Sequence, residues 1–259
     1  MQPSLEQTWR IRVQGVVQGV GFRPFIYRLA LQLGLSGWVR NDLEGVLIEA
    51  SATPERLTQL VELIREQAPP AARLEQVEIL EKRPGSLPDG FAIVESESTG
   101  PMATRISPDL TVCPDCLSEL ENPTDRRYRY PFINCTNCGP RYSIIQQLPY
   151  DRPLTTMRGF AMCPECAREY HDPLNRRFHA QPVACPACGP QVYLWDHKLQ
   201  ALASRHQAIV QSAQLLREGH ILAVKGLGGY HLACDATQTE AVELLRSRKL
   251  RRFKPLALM

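Results

Sequence analysis

The 259-residue sequence has no run of about 18 apolar residues, the length that a helix needs to cross a bilayer. No membrane-spanning helix is therefore expected. The opening residues, MQPSLEQTWRIRV, lack the basic start and apolar stretch of a secretory leader, which predicts a cytoplasmic protein. Charge of one sign is scarce too. Thirty Lys and Arg against 27 Asp and Glu leave a net +3, too little to point to nucleic acid or a membrane surface. Residues 111–195 have few periodic apolar stretches from which to build a core.

That stretch is rich in cysteine instead. Of nine cysteines, eight form four Cys-x-x-Cys pairs: Cys113/Cys116, Cys135/Cys138, Cys163/Cys166 and Cys185/Cys188. In a cytosolic chain such pairs read as metal ligands rather than disulfides. The segment also repeats itself with a period of 50, since CPDC…CTNCGPRYSI (113–144, within 111–145) matches CPEC…CPACGPQVYL (163–194, within 161–195). Self-similarity of this kind predicts two copies of one small unit. Each copy spaces its two pairs by 18 residues, within the range of structural zinc sites. The simplest arrangement is one Zn2+ per repeat, four cysteines each, and an interleaved pairing across the repeats is the alternative. His171 and His179 are then spare and expected at the surface. The basic stretches RRYRY (126–130) and RRFH (176–179) are expected to pack their stems over the metal sites with heads in solvent; contact with nucleic acid is the less favoured reading. Cys234, in an apolar strand-like run, is expected to be a small buried residue.

Ahead of this module, residues 1–97 read as a βαββαβ unit with a short extra strand. Trp9, Ile11 and Val13 alternate with Arg10, Arg12 and Gln14, a half-buried strand. Ile26, Leu29, Ala30 and Leu33 share one helix face that Gly34 ends, and Leu57, Leu60, Val61 and Ile64 share another, with Thr53 as N-cap and Pro54 in the first turn. Strands are expected over 36–41, 46–51, 74–82 and 91–95. This is the order of a ferredoxin-like α+β sandwich, helices on one face of an antiparallel sheet. Residues 98–110 read as a linker. Between the first strand and helix lies a Gly-rich turn, Val17, Gln18, Gly19, Val20, Gly21 and Phe22. A turn of this kind at a helix N-terminus can present backbone N–H groups to an anion. Arg23, next to Pro24, is expected at the mouth of the helix, aimed into that turn, where a guanidinium can grip a phosphate with two hydrogen bonds. By itself such a turn is equally a plain tight turn.

The string GVVQGVGFRPF (15–25), with GWVRN at 37–41, resembles the acylphosphatase signature. The resemblance covers residues 9–95. It implies that Arg23 binds the phosphoryl group and that Asn41 orients the attacking water. Residues 204–259 carry KGLGGYHLACDA (225–236) and RSRKLRRFKPLALM (246–259), which resemble the start of the YrdC-like nucleotide-binding α/β family. That resemblance implies Lys225, Arg248, Lys249 and Lys254 near ATP or an acyl-adenylate; a solvated basic helix end is the bland reading. KPLALM reads as a starting strand, and the domain is expected to be truncated at Met259.

An acylphosphatase-like unit, two four-cysteine repeats and a YrdC-like unit, in that order, resemble the HypF carbamoyltransferase family of nickel–iron hydrogenase maturation. The resemblance implies hydrolysis of carbamoyl phosphate, formation of carbamoyl-adenylate with ATP (and Mg2+), and transfer to a C-terminal cysteine of a HypE-type partner. A chain ending at Met259 is expected to retain the hydrolysis without the ATP-dependent transfer. Two rivals are a generic acylphosphatase fused to a zinc module and a non-enzymatic zinc-dependent binding module.

Overall fold

The alternating residues 9–14 become β1 (Gln7–Val16), with Trp9, Ile11 and Val13 buried and Arg10, Arg12 and Gln14 only partly so. This is seen in a computed structural model that describes residues 6–98, 103–250 and 253–258. β1 lies antiparallel to both β3 (Gly45–Ala52) and β4 (Arg73–Pro84), and β3 pairs with β2 (Ser36–Asp42). The sheet order is β4-β1-β3-β2-β5. Its extra strand β5 (Phe91–Ile93) runs parallel to β2, so the sheet is not antiparallel throughout. Helices α1 (Phe22–Leu33) and α2 (Pro54–Glu66) send Ile26, Leu29, Ala30, Leu57, Leu60 and Ile64 into the same core as Ile11, Val13, Val46 and Ile48. Gly34 caps α1 in the left-handed region at φ 61°, its N–H reaching Ala30 O and Leu31 O, which is how a C-terminal glycine ends a helix. Thr53 takes the N-cap position of α2, yet its side chain makes no cap bond to the helix.

The β2–β3 register pairs Asn41 with Val46 and Asp42 with Gly45, which leaves Leu43–Glu44 as the turn. Asn41 therefore sits at the end of a central strand, beside the loop that precedes α1. Residues 103–110 are pinned. The N–H groups of Ala103 and Thr104 both donate to Leu43 O at 2.8 and 2.9 Å, and Leu110 exchanges two 3.0 Å bonds with Gly139.

In the cysteine module, α3 (Pro114–Glu121) and α4 (Pro164–His171) each start one residue after the first cysteine of a pair. Proline in the first turn suits both starts, because the N–H it lacks would have no helical partner there. Each start turns Cys116 or Cys166 inward. The apolar clusters around them are small, built on Tyr130, Ile133 and Met157 in one repeat and on Ala180 and Val183 in the other.

The chain divides by contact into two units, at Gly189/Pro190. The second holds the hairpin β6 (Tyr193–Trp195)–β7 (Ala201–Ser204), helix α5 (Arg205–Arg217), the hairpin β8 (Leu222–Lys225)–β9 (Tyr230–Ala233) and α6 (Thr239–Lys249). Ala208 is the buried residue of α5, while Ile209 stays exposed. Two expectations change here. Cys234 lies one residue past β9 and is only half-buried. Lys254–Leu258 form no strand. Among the described residues no helix is long and apolar enough to cross a membrane.

Candidate phosphate site and metal centres

The loop 17–22 is built so that its side chains hold it and its backbone N–H groups are free. Val17, Val20 and Phe22 are buried in the sandwich core. Gln18 is buried as well, and its Nε2 donates to Asp42 O and Gly45 O at 2.7 and 2.8 Å. That ties the loop to the β2–β3 turn. Among the described residues, no backbone N–H from Gln18 to Phe22 donates to a protein acceptor. These free donors lie beside the N-terminus of α1, the arrangement that attracts anions. Gly19 and Gly21 both have positive φ, 73° and 76°, and a Cβ on Gly21 would stand 2.5 Å from Thr136 Cγ2. Glycine is required there by conformation and by close approach together.

Arg23 is the second residue of α1, already helical, and buried. It lies at the mouth of the helix, in a first turn that accommodates Pro24 after it. Arg23 Nη1 donates to Ser96 Oγ at 3.2 Å, and Nη2 to Asp151 Oδ1 at 2.7 Å. Asn41 is 1% exposed, and neither its Nδ2 nor its Oδ1 has a protein partner. Buried amides are almost always bonded, so two orphaned atoms on one side chain mark a place for a ligand or water.

Arg23, Asn41 and the loop line one cavity, and its other wall comes from the cysteine module: Thr136, Arg141, Tyr150, His179 and Gln181. Arg141 joins the two. Its Nε donates to Gly19 O, and its Nη atoms donate to Cys135 O, Thr136 O, Cys138 O and Pro140 O at 2.8–3.2 Å. Tyr150 N donates to Gln18 Oε1 at 2.9 Å, and the rings of Tyr27 and Phe178 meet edge-on at 5.4 Å. His179, expected at the surface, stands instead against this cavity; His171 is exposed. Burial first, then Arg23 and His171, lower the His179 imidazole to about 4, so it is neutral near pH 7.

The eight paired cysteines gather into two clusters, Cys113, Cys116, Cys135, Cys138 and Cys163, Cys166, Cys185, Cys188, with the sulfurs of each within 4.8 Å of one another. The grouping is one per repeat, not interleaved. Adjacent sulfurs stand 3.6–3.7 Å apart. Four thiolates about 2.3 Å from a tetrahedral zinc would be separated by about 3.8 Å. The donor set fits a metal ion, and four thiolates leave it no open coordination position.

Arg127 and Arg177, one from each basic stretch, do not point to solvent, which corrects the expectation for these two. Arg127 of the first repeat is 1% exposed, and Arg177 of the second 3%. Each reaches into the other repeat. Arg127 Nη1 and Nη2 donate to Glu169, and Nε to Ala184 O at 2.8 Å. Arg177 Nη1 and Nη2 donate to Glu119, and Nε to Asn134 O at 3.0 Å. Their neighbours go to sulfur. Arg126 Nη2 lies 3.3 and 3.4 Å from the sulfurs of Cys163 and Cys166, and Arg176 Nη2 lies 2.7 Å from that of Cys116. A divalent ion with four thiolates carries a net −2, and in each repeat the other supplies cations against it. Burial favours the neutral Glu119 carboxyl, but hydrogen bonds from Arg177 and Arg176 outweigh this and hold it at about 2.

In the second unit, Lys225 lies at the end of β8 with its Nζ 5.7 Å from the Tyr230 ring centroid, and Arg248 and Lys249 form the last turn of α6. Lys254 O accepts from Arg246 Nη1 at 3.0 Å. All four residues are exposed. Arg251 and Arg252 of the same basic run lie outside the described residues.

A sandwich with a free N–H loop, a helix-borne arginine and an orphaned asparagine defines an acylphosphatase-type unit, and the acylphosphatase family model matches residues 9–93. The HypF finger model matches 112–145 and again 162–195, and a telomere-recombination (Sua5/YciO/YrdC) model matches 214–259. An acylphosphatase from a Synechococcus species is 48% identical over 83 residues, 32% of this chain and 77% of that protein. Carbamoyltransferase HypF2 of Cupriavidus necator is 56% identical over 253 residues, 96% of this chain and 31% of that protein. A crystal structure of full-length HypF in its phosphate- and nucleotide-bound form superposes with a TM-score of 0.88 at 45% identity, over 97% of this chain and 32% of that one. The chain belongs to the HypF family. It spans about a third of the length of the curated HypF relatives it matches.

Proposed function

We propose that this chain hydrolyses carbamoyl phosphate at the acylphosphatase site, as the first step of a carbamoyltransferase that serves nickel–iron hydrogenase maturation. The observation that carries the reading is Asn41, with both amide atoms buried and unpartnered in the cavity that Arg23 and the free N–H loop also line. The N–H groups of 17–22 and Arg23 hold the phosphoryl oxygens. Asn41 orients a water by giving one hydrogen bond and taking another, and being neutral it does not repel the anionic substrate. Water attacks phosphorus, the bond to the acyl oxygen breaks, and carbamate leaves with the electron pair. The water proton ends on inorganic phosphate. Catalysis is positioning and charge stabilisation, without a covalent intermediate.

Each finger holds one Zn2+ as a structural ion, since a closed four-thiolate set suits zinc and leaves no catalytic position. Its binding energy, roughly 10–16 kcal/mol in small finger peptides, organises a segment whose apolar clusters are small. Carbamate then reacts with ATP (and Mg2+) in the YrdC-like part, with Lys225, Arg248, Lys249 and Lys254 near the phosphates, and the carbamoyl group passes to a HypE-type cysteine. The location proposed for these later steps is the cytoplasm. Phosphate release from carbamoyl, acetyl and benzoyl phosphate tests the reading. Preference for the carbamoyl compound is expected, and equal turnover of all three favours a generic acylphosphatase.

A further inference from the structure

We propose that His179, from the second finger, is a third catalytic group of this site, donating a hydrogen bond to the acyl oxygen of the bound acyl phosphate. The inference rests on the hydrolysis proposed above and assigns the part of the substrate that Arg23 and Asn41 leave unattended. His179 lines the same cavity as both. Among the described residues its ring nitrogens have no hydrogen-bond or ion-pair partner; its contacts are ring contacts with Tyr170 at 5.0 Å and Phe178 at 4.7 Å. Those two rings fix the imidazole plane without using its polar atoms.

The backbone aims it there. His179 sits at φ 53°, left-handed and uncommon for a residue with a side chain. Its counterpart 50 residues earlier, Arg129, has φ 54°. The kink therefore belongs to the finger, but the occupants differ. Arg129 lies over the Tyr128 ring at 5.0 Å, while His179 faces the phosphate loop. Only the second finger puts an imidazole at this kink.

In-line displacement at phosphorus sets the attacking water and the leaving oxygen on opposite sides. Asn41, on β2, holds the water side. The leaving acyl group must then turn towards the wall made by the module, where His179 stands. As carbamate departs, negative charge grows on its oxygens. A neutral imidazole offers one N–H donor to that charge and is itself neither protonated nor deprotonated. No bond to the protein forms, and the electron pair leaves with carbamate as before.

The test is steady-state hydrolysis of carbamoyl phosphate by the zinc-loaded chain and its His179→Ala and His179→Gln forms, with inorganic phosphate binding and zinc content measured on each. His179→Ala is expected to lower kcat by about 10- to 100-fold, the scale of losing one donor to developing charge. Phosphate affinity should stay within about twofold, because phosphate contacts Arg23 and the loop. Added imidazole should restore part of the lost rate, and Gln, which keeps an N–H donor, should retain more activity than Ala. Unchanged kcat in His179→Ala overturns the assignment. So does a loss that imidazole does not restore and that comes with weakened phosphate binding or lost zinc, because that is a structural role. An unmodified chain with no turnover overturns the hydrolysis reading itself, a result distinct from either.

Discussion

Arg127 grips Glu169 with both terminal nitrogens, at 2.9 and 2.5 Å, across the boundary between the two fingers. Fifty residues on, Arg177 and Glu119 make the same pair with the fingers exchanged. Neither finger completes its own surroundings, because each lends its arginines to the other.

Removing one arginine should therefore harm the other finger. Arg127→Ala leaves Glu169 without its bidentate partner and takes a donor from Cys166 Sγ. Breaking a buried pair from one side costs roughly 3–5 kcal/mol. The expected outcome is a lower unfolding temperature and weaker metal retention at Cys163, Cys166, Cys185 and Cys188, with Arg177→Ala giving the mirror result. Zinc release under a chelator, followed finger by finger with cysteine-alkylation mass spectrometry, checks this.

Arg23 meets Asp151 at 2.7 Å, so a carboxylate from the module already shares the guanidinium expected to bind phosphate. Any anion must compete with it. Asp151→Asn keeps the shape and removes the charge, and it should tighten inorganic phosphate binding by about five- to tenfold, the equivalent of roughly 1 kcal/mol. Calorimetric titration with phosphate measures it. Weaker binding in the variant would mean that Asp151 orients Arg23 rather than competing for it.

The depressed His179 imidazole links stability to pH. Burial, Arg23 and His171 lower it and Asp151 opposes them, leaving it at about 4. The unfolded chain then binds the proton more readily than the folded one. The contribution is fully present above the ordinary histidine value of about 6.5 and is lost as pH falls from there towards 4, by no more than about 3 kcal/mol. Denaturant unfolding between pH 7 and 4 should show the protein losing stability relative to His179→Gln as pH falls, since only the former carries the histidine.

The sequence made some of this legible because the signals are local. Cys-x-x-Cys spacing and a 50-residue period lie within the chain's own order, so the cysteines and their grouping could be anticipated. Arg23 and Asn41 were marked by family strings, and β1 by strict alternation. What the sequence could not display was which surfaces meet. The period made residues 126–127 and 176–177 equivalent, but it says nothing of whether an arginine serves its own finger or the next. Asp151, Arg141 and His179 reach the phosphate loop across separations of more than 120 residues, and no periodicity records such contacts. A neutral histidine among aromatic residues reads as a surface residue until the opposite wall is known.

Hydrolysis of carbamoyl phosphate by the chain, beside Arg23→Ala and Asn41→Ala, with zinc counted in each, reaches the central claim most directly. Turnover in the unmodified protein, lost by about 100-fold or more in both variants while two zinc ions stay bound, is the expected result. Turnover that survives either change, or its absence from the zinc-loaded protein, would contradict the account.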